Sequence, residues 1–206
     1  MTAFNFLLEE NRVCIGMDTL MISADTKAPF KYISKIFLLP HLNGVVCGTG
    51  FAEFILNWYL LIQSSIIAKD IDHLDLFASE ALRKIAKNFT NEFSATIYHF
   101  GWSDQQKRFI GLVYRSTNDF ISESLPYGLG TKPQIHVDKL NELPGDFVRI
   151  IEKQKRQDEA SQNQSKVGIG GDIHFLLMTQ EGYSLSRCHR FDDYDAAYDQ
   201  MIANLI

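Results

Sequence analysis

Thr2 follows the initiator methionine directly, at the head of the stretch MTAFNFLLEENRVCIGMDTL. Methionine is removed before small residues, and a threonine freed in this way can use its own α-amine as the general base for its hydroxyl. The reference pKa of an α-amine, roughly 7.7–8.0, suits that task near neutral pH. Such a nucleophile also needs a fixed cation, and a carboxylate to hold the cation in place. The start of the chain therefore raises the hypothesis that Thr2 is the nucleophile of an enzyme.

The elements that must position these groups are strands and helices arranged in blocks. Period-two alternation between turn signals predicts strands at residues 2–8, 12–17, 34–39, 43–47, 95–102, 107–115, 118–130, 169–179 and 182–191. Helical periodicity predicts helices at about residues 51–68, 73–90, 145–163 and from 192 to the end. Grouping of this kind favours an α+β fold with packed antiparallel sheets and helices outside them. The length of 206 residues fits a single domain, residues 1–206.

Four anchors in this frame resemble the proteasome β-subunit family of N-terminal-nucleophile hydrolases, which includes the bacterial two-ring heat-shock peptidase. They are Thr2 at the head of a hairpin, Asp18 in VCIGMDT, Lys35 opening KIFLL, and the turn CGTGFAEF. The spacing from Thr2 to Asp18 equals that of the family. Asp25 in SADTK looks locally more like the family pattern, but its use would lengthen the first hairpin, so the spacing favours Asp18.

The resemblance implies a four-layer αββα sandwich in which two antiparallel sheets are flanked by helices. It also implies that Thr2 attacks a peptide carbonyl, forms an ester and is released by water, with Lys35 and Asp18 as its charged partners. An oxyanion donor is required. By register with the family, the backbone amide of Thr49 in the Gly-Thr-Gly turn supplies it.

The substrate is expected to lie extended between strand segments near residues 21–22 and 47–49. By the same register, the substrate-binding residues are Met21, Ile22, Ile33, Phe37, Cys47 and Phe51. The first specificity pocket is then apolar throughout. We therefore expect cleavage after large apolar residues.

Three departures from the family pattern bear on activity. Leu129 and Ile169 stand where many active members carry serine, and Lys166 stands where proteasomal subunits carry aspartate. Those groups support the nucleophile in the family, so a catalytically silent structural subunit of the same fold is the first alternative. A second alternative is another N-terminal-nucleophile amidohydrolase that acts on a small amide. Removal of Met1 would decide whether the amine of Thr2 is free.

Partners and location are narrowed by charge and composition. The 20 Lys+Arg and 25 Asp+Glu give a net charge of -5 without long runs of one sign, which disfavours nucleic acid and membrane surfaces. The apolar stretch from Phe51 includes Glu53, Asn57 and Gln63, so it is a buried helix rather than a bilayer span. Three cysteines without a C-x-x-C pair, and acidic residues near the start, favour a reducing, cytoplasmic location without an export signal.

No cofactor and no metal is expected. The Gly-Thr-Gly turn lacks the third glycine of a dinucleotide fingerprint, and the histidines lie without ligand spacing. The family instead implies an unfolded polypeptide or peptide as substrate, a homo-oligomeric double ring, and an ATP-dependent unfoldase as an optional partner.

Overall fold

The computed structural model describes residues 2–23, 25–90, 92–161 and 166–204. The strands are β1 Phe4–Leu8, β2 Arg12–Asp18, β3 Leu20–Ile22, β4 Pro29–Tyr32, β5 Ile36–Leu39, β6 Gly44–Gly50, β7 Ala95–Ser103, β8 Arg108–Arg115, β9 Glu123–Ser124, β10 Gly128–Lys132, β11 Asp172–Thr179 and β12 Gly182–Arg190. The helices are α1 Ala52–Ser65, α2 Ile71–Ala86, α3 Gly145–Glu159 and α4 Tyr194–Ala203.

The strands described here form three antiparallel sheets. Sheet 1 has the order β10-β1-β2-β11-β12, and sheet 2 has the order β5-β6-β7-β8-β9. Strands β3 and β4 form a separate two-stranded hairpin. The fold is therefore α+β, with each half of the first hairpin in sheet 1 and the Lys35 segment leading into sheet 2.

The two large sheets meet through aromatic side chains that alternate along their strands. Phe4 and Phe6 on β1 are buried, and they pack against Tyr98 and Phe100 on β7. The rings of Phe4 and Tyr98 lie 4.3 Å apart between centroids. Because side chains at alternate positions of a strand share one face, this spacing of phenylalanines turns one face of β1 toward sheet 2.

Helices α1, α2 and α3 cover the outer faces of the two large sheets. Helices α1 and α2 bury Trp58 and Leu82 in a cluster with Ile97 of sheet 2. Helix α3 places Phe147 against Phe175 of sheet 1, with ring centroids 5.3 Å apart. Across the part of the chain that the structure describes, no helix combines the length and apolar character needed to cross a bilayer.

Most of the predicted elements are present, with three differences. The β3–β4 hairpin was not predicted, and β6 continues through Gly50 where a turn was expected. The segment 118–130, expected as one strand, is divided between β9 in sheet 2 and β10 in sheet 1. Asp119 and Phe120 have φ angles of 57° and 55°, which break an extended strand. The loop predicted near residue 162 lies outside the described residues.

Candidate active site

A buried ion pair forms the centre of the site. Asp18, the last residue of β2, accepts a hydrogen bond from the Lys35 amine at 3.0 Å. The same oxygen, Oδ1, accepts the backbone N–H of Ala3 at 2.9 Å. Asp18 is 0% exposed and Lys35 is 7% exposed. Since Ala3 follows Thr2 directly, this carboxylate joins the start of β1 to the lysine that precedes β5.

Main-chain groups from other segments complete the polar shell of the pair. The Lys35 amine also donates to the carbonyl oxygen of Leu20 at 2.6 Å. The second carboxylate oxygen of Asp18 accepts the N–H of Gly170 at 3.3 Å. Strand β3 therefore holds the Lys35 amine, and the segment before β11 holds the Asp18 carboxylate.

Burial shifts the pKa values of Asp18 and Lys35 in opposite directions. It raises the pKa of the Asp18 carboxyl, against the attraction of Lys35 and the hydrogen bonds from Lys35, Gly170 and Ala3. It also lowers the pKa of the Lys35 amine, against the attraction of Asp18. An amine with a lowered pKa gives up its proton more readily than an ordinary lysine. The pair can therefore act both as a local positive charge and as a proton-transfer group.

Thr2 lies beside this pair on the wall of a cavity of about 1120 Å³. Thr2 is 5% exposed, and Lys35 lines the same cavity. Asp25 lies at the exposed rim of the cavity, whereas the hydrogen bond from Lys35 goes to Asp18. The structure thus brings Thr2, Lys35 and Asp18 to one region of the molecule.

Five of the six predicted substrate-binding residues also line this cavity. They are Met21, Ile22, Ile33, Phe37 and Phe51. The hairpin β3–β4 adds Phe30, and the segment after α2 adds Phe89 and Phe93. The wall therefore has many aromatic and aliphatic side chains, and its charged members are Lys35, Asp25, Lys27, Glu53 and Glu92.

Comparison with known proteins is consistent with this arrangement at the level of the fold. No family model and no curated protein matches the chain. It is similar to a solved structure of the Gly-1 mutant of Anbu from Hyphomicrobium sp. strain MC1, a proteasome-like protein, with a TM-score of 0.65 at 13% sequence identity. The match covers 100% of this chain and 94% of that chain. The chain has a proteasome-like fold.

Within the proteasome-like fold, the structure does not bring Cys47 or Thr49 to the cavity. Cys47 is 0% exposed and belongs to the apolar cluster between the two large sheets. Its neighbours Gly48 and Gly50 line the cavity instead. Alternate residues of a strand face opposite sides, so a shift of one position along β6 exchanges the residues that face the cavity with those that face away from it.

The same alternation decides which backbone amides of β6 face the cavity. The N–H of Phe51 donates to the carbonyl of Ser94, next to β7, at 3.0 Å. In an antiparallel ladder every second residue repeats this direction, so the N–H of Thr49 also points toward β7. The amides of Gly48 and Gly50 point the other way. Gly50 lies beyond Cys47, the residue that pairs with Ile36 at the start of β5, so its amide is the better placed donor.

None of the three residues that depart from the family pattern lines the cavity. Leu129 packs against the cluster of Cys14 and Phe147 under α3. Ile169 is 3% exposed and belongs to a separate apolar cluster. Lys166 is half-buried and is not part of the cavity wall. What reaches the site from this region is the backbone of Gly170.

Sequence reasoning missed the backbone contacts from Leu20 and Gly170 and the role of β3. The glycines at 170 and 171 let this backbone lie close to the segment that contains Thr19 and Leu20. A Cβ on Gly171, whose φ is +81°, would lie 2.4 Å from the Thr19 hydroxyl oxygen. No sequence signal distinguishes the carbonyl of Leu20, since every residue carries one.

The described residues offer no metal centre. In the ranges that the structure covers, no group of three or more His, Cys, Asp or Glu side chains is arranged to hold a metal ion. The chemistry that the arrangement supports uses a hydroxyl, an amine and a carboxylate.

Proposed function

We propose that this chain is a threonine-type endopeptidase subunit whose nucleophile is the Thr2 hydroxyl after Met1 is removed. The observation that carries the proposal is the buried Lys35–Asp18 pair joined to the start of β1 through Ala3. Met1 itself lies outside the described residues. We also infer the four-layer αββα order for the sheets and helices, because α1 and α2 pack on one sheet and α3 on the other.

In the proposed mechanism, the Thr2 oxygen attacks the substrate carbonyl carbon while its proton passes to the α-amine. The ammonium of Lys35, held by Asp18, lowers the energy of the negative oxygen that forms during attack. The oxyanion of the tetrahedral intermediate accepts the backbone N–H of Gly50. The peptide C–N bond then breaks, the leaving amine takes the proton, and water hydrolyses the ester on Thr2.

The substrate in this proposal is an unfolded polypeptide or a peptide. A cavity of about 1120 Å³ is larger than small amides need, which argues against an amidohydrolase for small substrates. Phe37 and Phe51 on its wall support cleavage after large apolar residues. A tryptic-type peptide that is cut faster than an apolar one would count against this preference.

The assembly we propose is a homo-oligomeric double ring in the cytoplasm, with an ATP-dependent unfoldase as an optional partner. Ring closure would confine proteolysis to an inner chamber. No nucleic acid, membrane or cofactor takes part in the proposed reaction. The proteasome-like fold supports this proposal without specifying subunit number.

The decisive experiment is intact-mass analysis after incubation with a peptide epoxyketone that carries a large apolar residue. Because this reagent bonds to both the hydroxyl and the free amine of an N-terminal threonine, one adduct per chain on Thr2 is the expected result. Thr2→Ala is the matched control, since methionine is also removed before alanine and the hydroxyl is lost while the free α-amine is kept. Thr2→Ser should retain the adduct.

A second control tests the amine. Insertion of one lysine between Met1 and Thr2 blocks methionine removal and should abolish the adduct. The silent subunit is supported by the absence of serine at Leu129 and Ile169. A wild-type chain that has a free Thr2 amine, yet forms no adduct and cuts no fluorogenic peptide, would establish that alternative and reject the peptidase.

A further inference from the structure

A second lysine bridges the two large sheets close to the candidate active site. Lys132 is the last residue of β10 and stands opposite Phe4 of β1 in sheet 1. Its amine donates to the hydroxyl of Thr49 on β6 of sheet 2 at 2.9 Å. The bond therefore spans the gap between sheets at the end where Thr2 enters β1. Lys132 is half-buried and Thr49 is 2% exposed.

The bonded threonine lies between two residues that have no side chain. Gly48 and Gly50 flank Thr49, line the cavity and carry no side chain that could pack. Gly50 also has a φ of +101°, a conformation that favours glycine. Among these three residues only Thr49 has a side chain to hold the segment in place, and its hydroxyl is the atom that Lys132 contacts.

The other end of the bridge, Lys132, pairs with the first residue of β1, which Thr2 precedes by two positions. Residues paired across antiparallel strands project to the same face, so Lys132 and Phe4 share the face of sheet 1 that is turned toward sheet 2. Thr2 lies two positions before Phe4, just ahead of β1. Deeper in the sandwich the rings of Phe4 and Tyr98 fix the separation of the sheets. At the cavity end, the Lys132–Thr49 bond takes over that task.

We propose that Lys132 is a positioning residue that holds the Gly48–Gly50 segment at a fixed separation from Thr2. The inference rests on the proposed function for its catalytic consequence, because this segment carries the amide assigned to the oxyanion. Lys132 acts through Thr49 and does not contact the substrate.

The surroundings of Lys132 separate this role from a purely stabilising one. Burial and the nearby charge of Arg115 lower the pKa of the Lys132 amine, so its charged form is disfavoured where it lies. A lysine kept only for stability should not be held beside another cation. Lys132→Met relieves this unfavourable charge but leaves the buried Thr49 hydroxyl without its donor, so the melting temperature should change little while activity falls.

The first test is kinetic. Lys132→Met and Thr49→Val should each lower kcat for a fluorogenic peptide about ten-fold with little change in KM, as expected for one lost hydrogen bond that positions the site. The double variant should lose no more than either single variant, since both remove the same bond. Lys139→Met, which removes an equal charge from an exposed position, is the control and should keep the wild-type kcat.

The second test needs no activity. In the Thr2→Ala background, hydrogen exchange of the peptide that spans residues 47–51 should become about ten-fold faster with Lys132→Met and stay unchanged with Lys139→Met. Unchanged exchange in Lys132→Met overturns the inference whatever the kinetics show, as does a lowered melting temperature with unchanged kcat. Faster exchange without an epoxyketone adduct in the wild type would reject the proposed peptidase and still support the positioning of the segment.

Discussion

At the scale of single residues, the Lys35–Asp18 pair is an expensive feature of the core. Both side chains are almost fully removed from water, and desolvation of two charges commonly costs as much as their attraction returns. Burial disfavours the charged form of each group. A well-packed apolar pair would stabilise the fold equally well or better. The buried charges therefore fit the proposed catalytic role beside Thr2 better than a stabilising role.

This explanation predicts opposite effects on stability and activity. Lys35→Met leaves the Asp18 carboxylate buried without its cation, so the free energy of unfolding should fall by about 3–5 kcal/mol. Adding Asp18→Asn removes the unpaired charge and should recover most of that loss. Both variants should lack the epoxyketone adduct. Urea unfolding and intact mass measure the two effects, and a double variant that reacts like the wild type would remove Lys35 from the mechanism.

At the scale of elements, the cavity wall depends on how strand β6 ends. A Cβ on Gly50 would lie 2.0 Å from the carbonyl oxygen of Ser94, and its φ is +101°. Gly128 has a similar φ of +111°, but a Cβ there meets nothing within 4 Å. Gly128→Ala should therefore cost only backbone strain, about 1–2 kcal/mol.

Gly50→Ala should cost about 2 kcal/mol more than Gly128→Ala, because the clash with Ser94 adds to the strain. The difference between the two free energies of unfolding, measured in urea, isolates the clash. Because Ser94 also accepts the N–H of Phe51, Gly50→Ala should in addition slow the epoxyketone reaction. Equal stability losses in the two variants would contradict the close approach of β6 and the Ser94 segment.

A buried histidine joins helix α1 to strand β7 and makes stability depend on pH. Trp58 donates from Nε1 to Nε2 of His99 at 2.8 Å, and His99 is 0% exposed. Burial lowers the pKa of His99 from 6.5 to about 3. The unfolded chain therefore takes up a proton near pH 6.5 that the folded chain refuses, so stability is present above pH 6.5 and is lost as the pH falls toward 3.

Between pH 7 and pH 5 the wild type should lose about 2 kcal/mol more of its free energy of unfolding than His99→Phe loses. The comparison uses the change with pH within each protein, because His99→Phe also leaves Trp58 without its acceptor. Urea titrations at the two pH values measure it. Parallel pH dependences in the two proteins would show that His99 takes up its proton as readily in the folded chain as in the unfolded chain.

The sequence predicted which residues form the candidate site better than it predicted the faces of their strands. Thr2, Asp18 and Lys35 could be predicted because their types and spacing are constrained together. Cys47 and Thr49 could not be oriented, since a slip of one residue turns every side chain of a strand to the other face. The β3–β4 hairpin escaped prediction because its strands are only 3 and 4 residues long and β4 begins with a proline.

The contacts between the sheets cannot be predicted from local sequence patterns. The bond between Lys132 and Thr49 joins residues that are distant in the sequence and lie on different sheets. The amide of Gly170 reaches Asp18 from an equally remote segment. Such contacts depend on how the two sheets stack. Hydrophobic periodicity predicts which face of a strand is buried, but it does not predict which residues of the two sheets lie opposite each other.

At the scale of the whole molecule, the candidate site belongs to no single element. Asp18 comes from sheet 1, Lys35 leads into sheet 2, and the carbonyl of Leu20 comes from the β3–β4 hairpin. The three sheets must therefore be docked before the charge pair can form. A chain that reacts with the epoxyketone is consequently a folded chain, and loss of the adduct on heating should follow the loss of tertiary structure.

The proposed double ring makes the last prediction, which concerns access rather than chemistry. A closed chamber admits short peptides and unfolded chains through its openings but excludes folded proteins. The wild type should sediment at a high multiple of the 23.5 kDa chain mass, and it should cut a fluorogenic peptide and an unfolded protein. It should leave the folded form of that same substrate protein intact unless an unfoldase is supplied. Thr2→Ala should assemble equally well and cut neither substrate. A monomeric wild type that cuts peptides would reject the ring while keeping the peptidase, because the residues proposed to do the chemistry all lie within one chain.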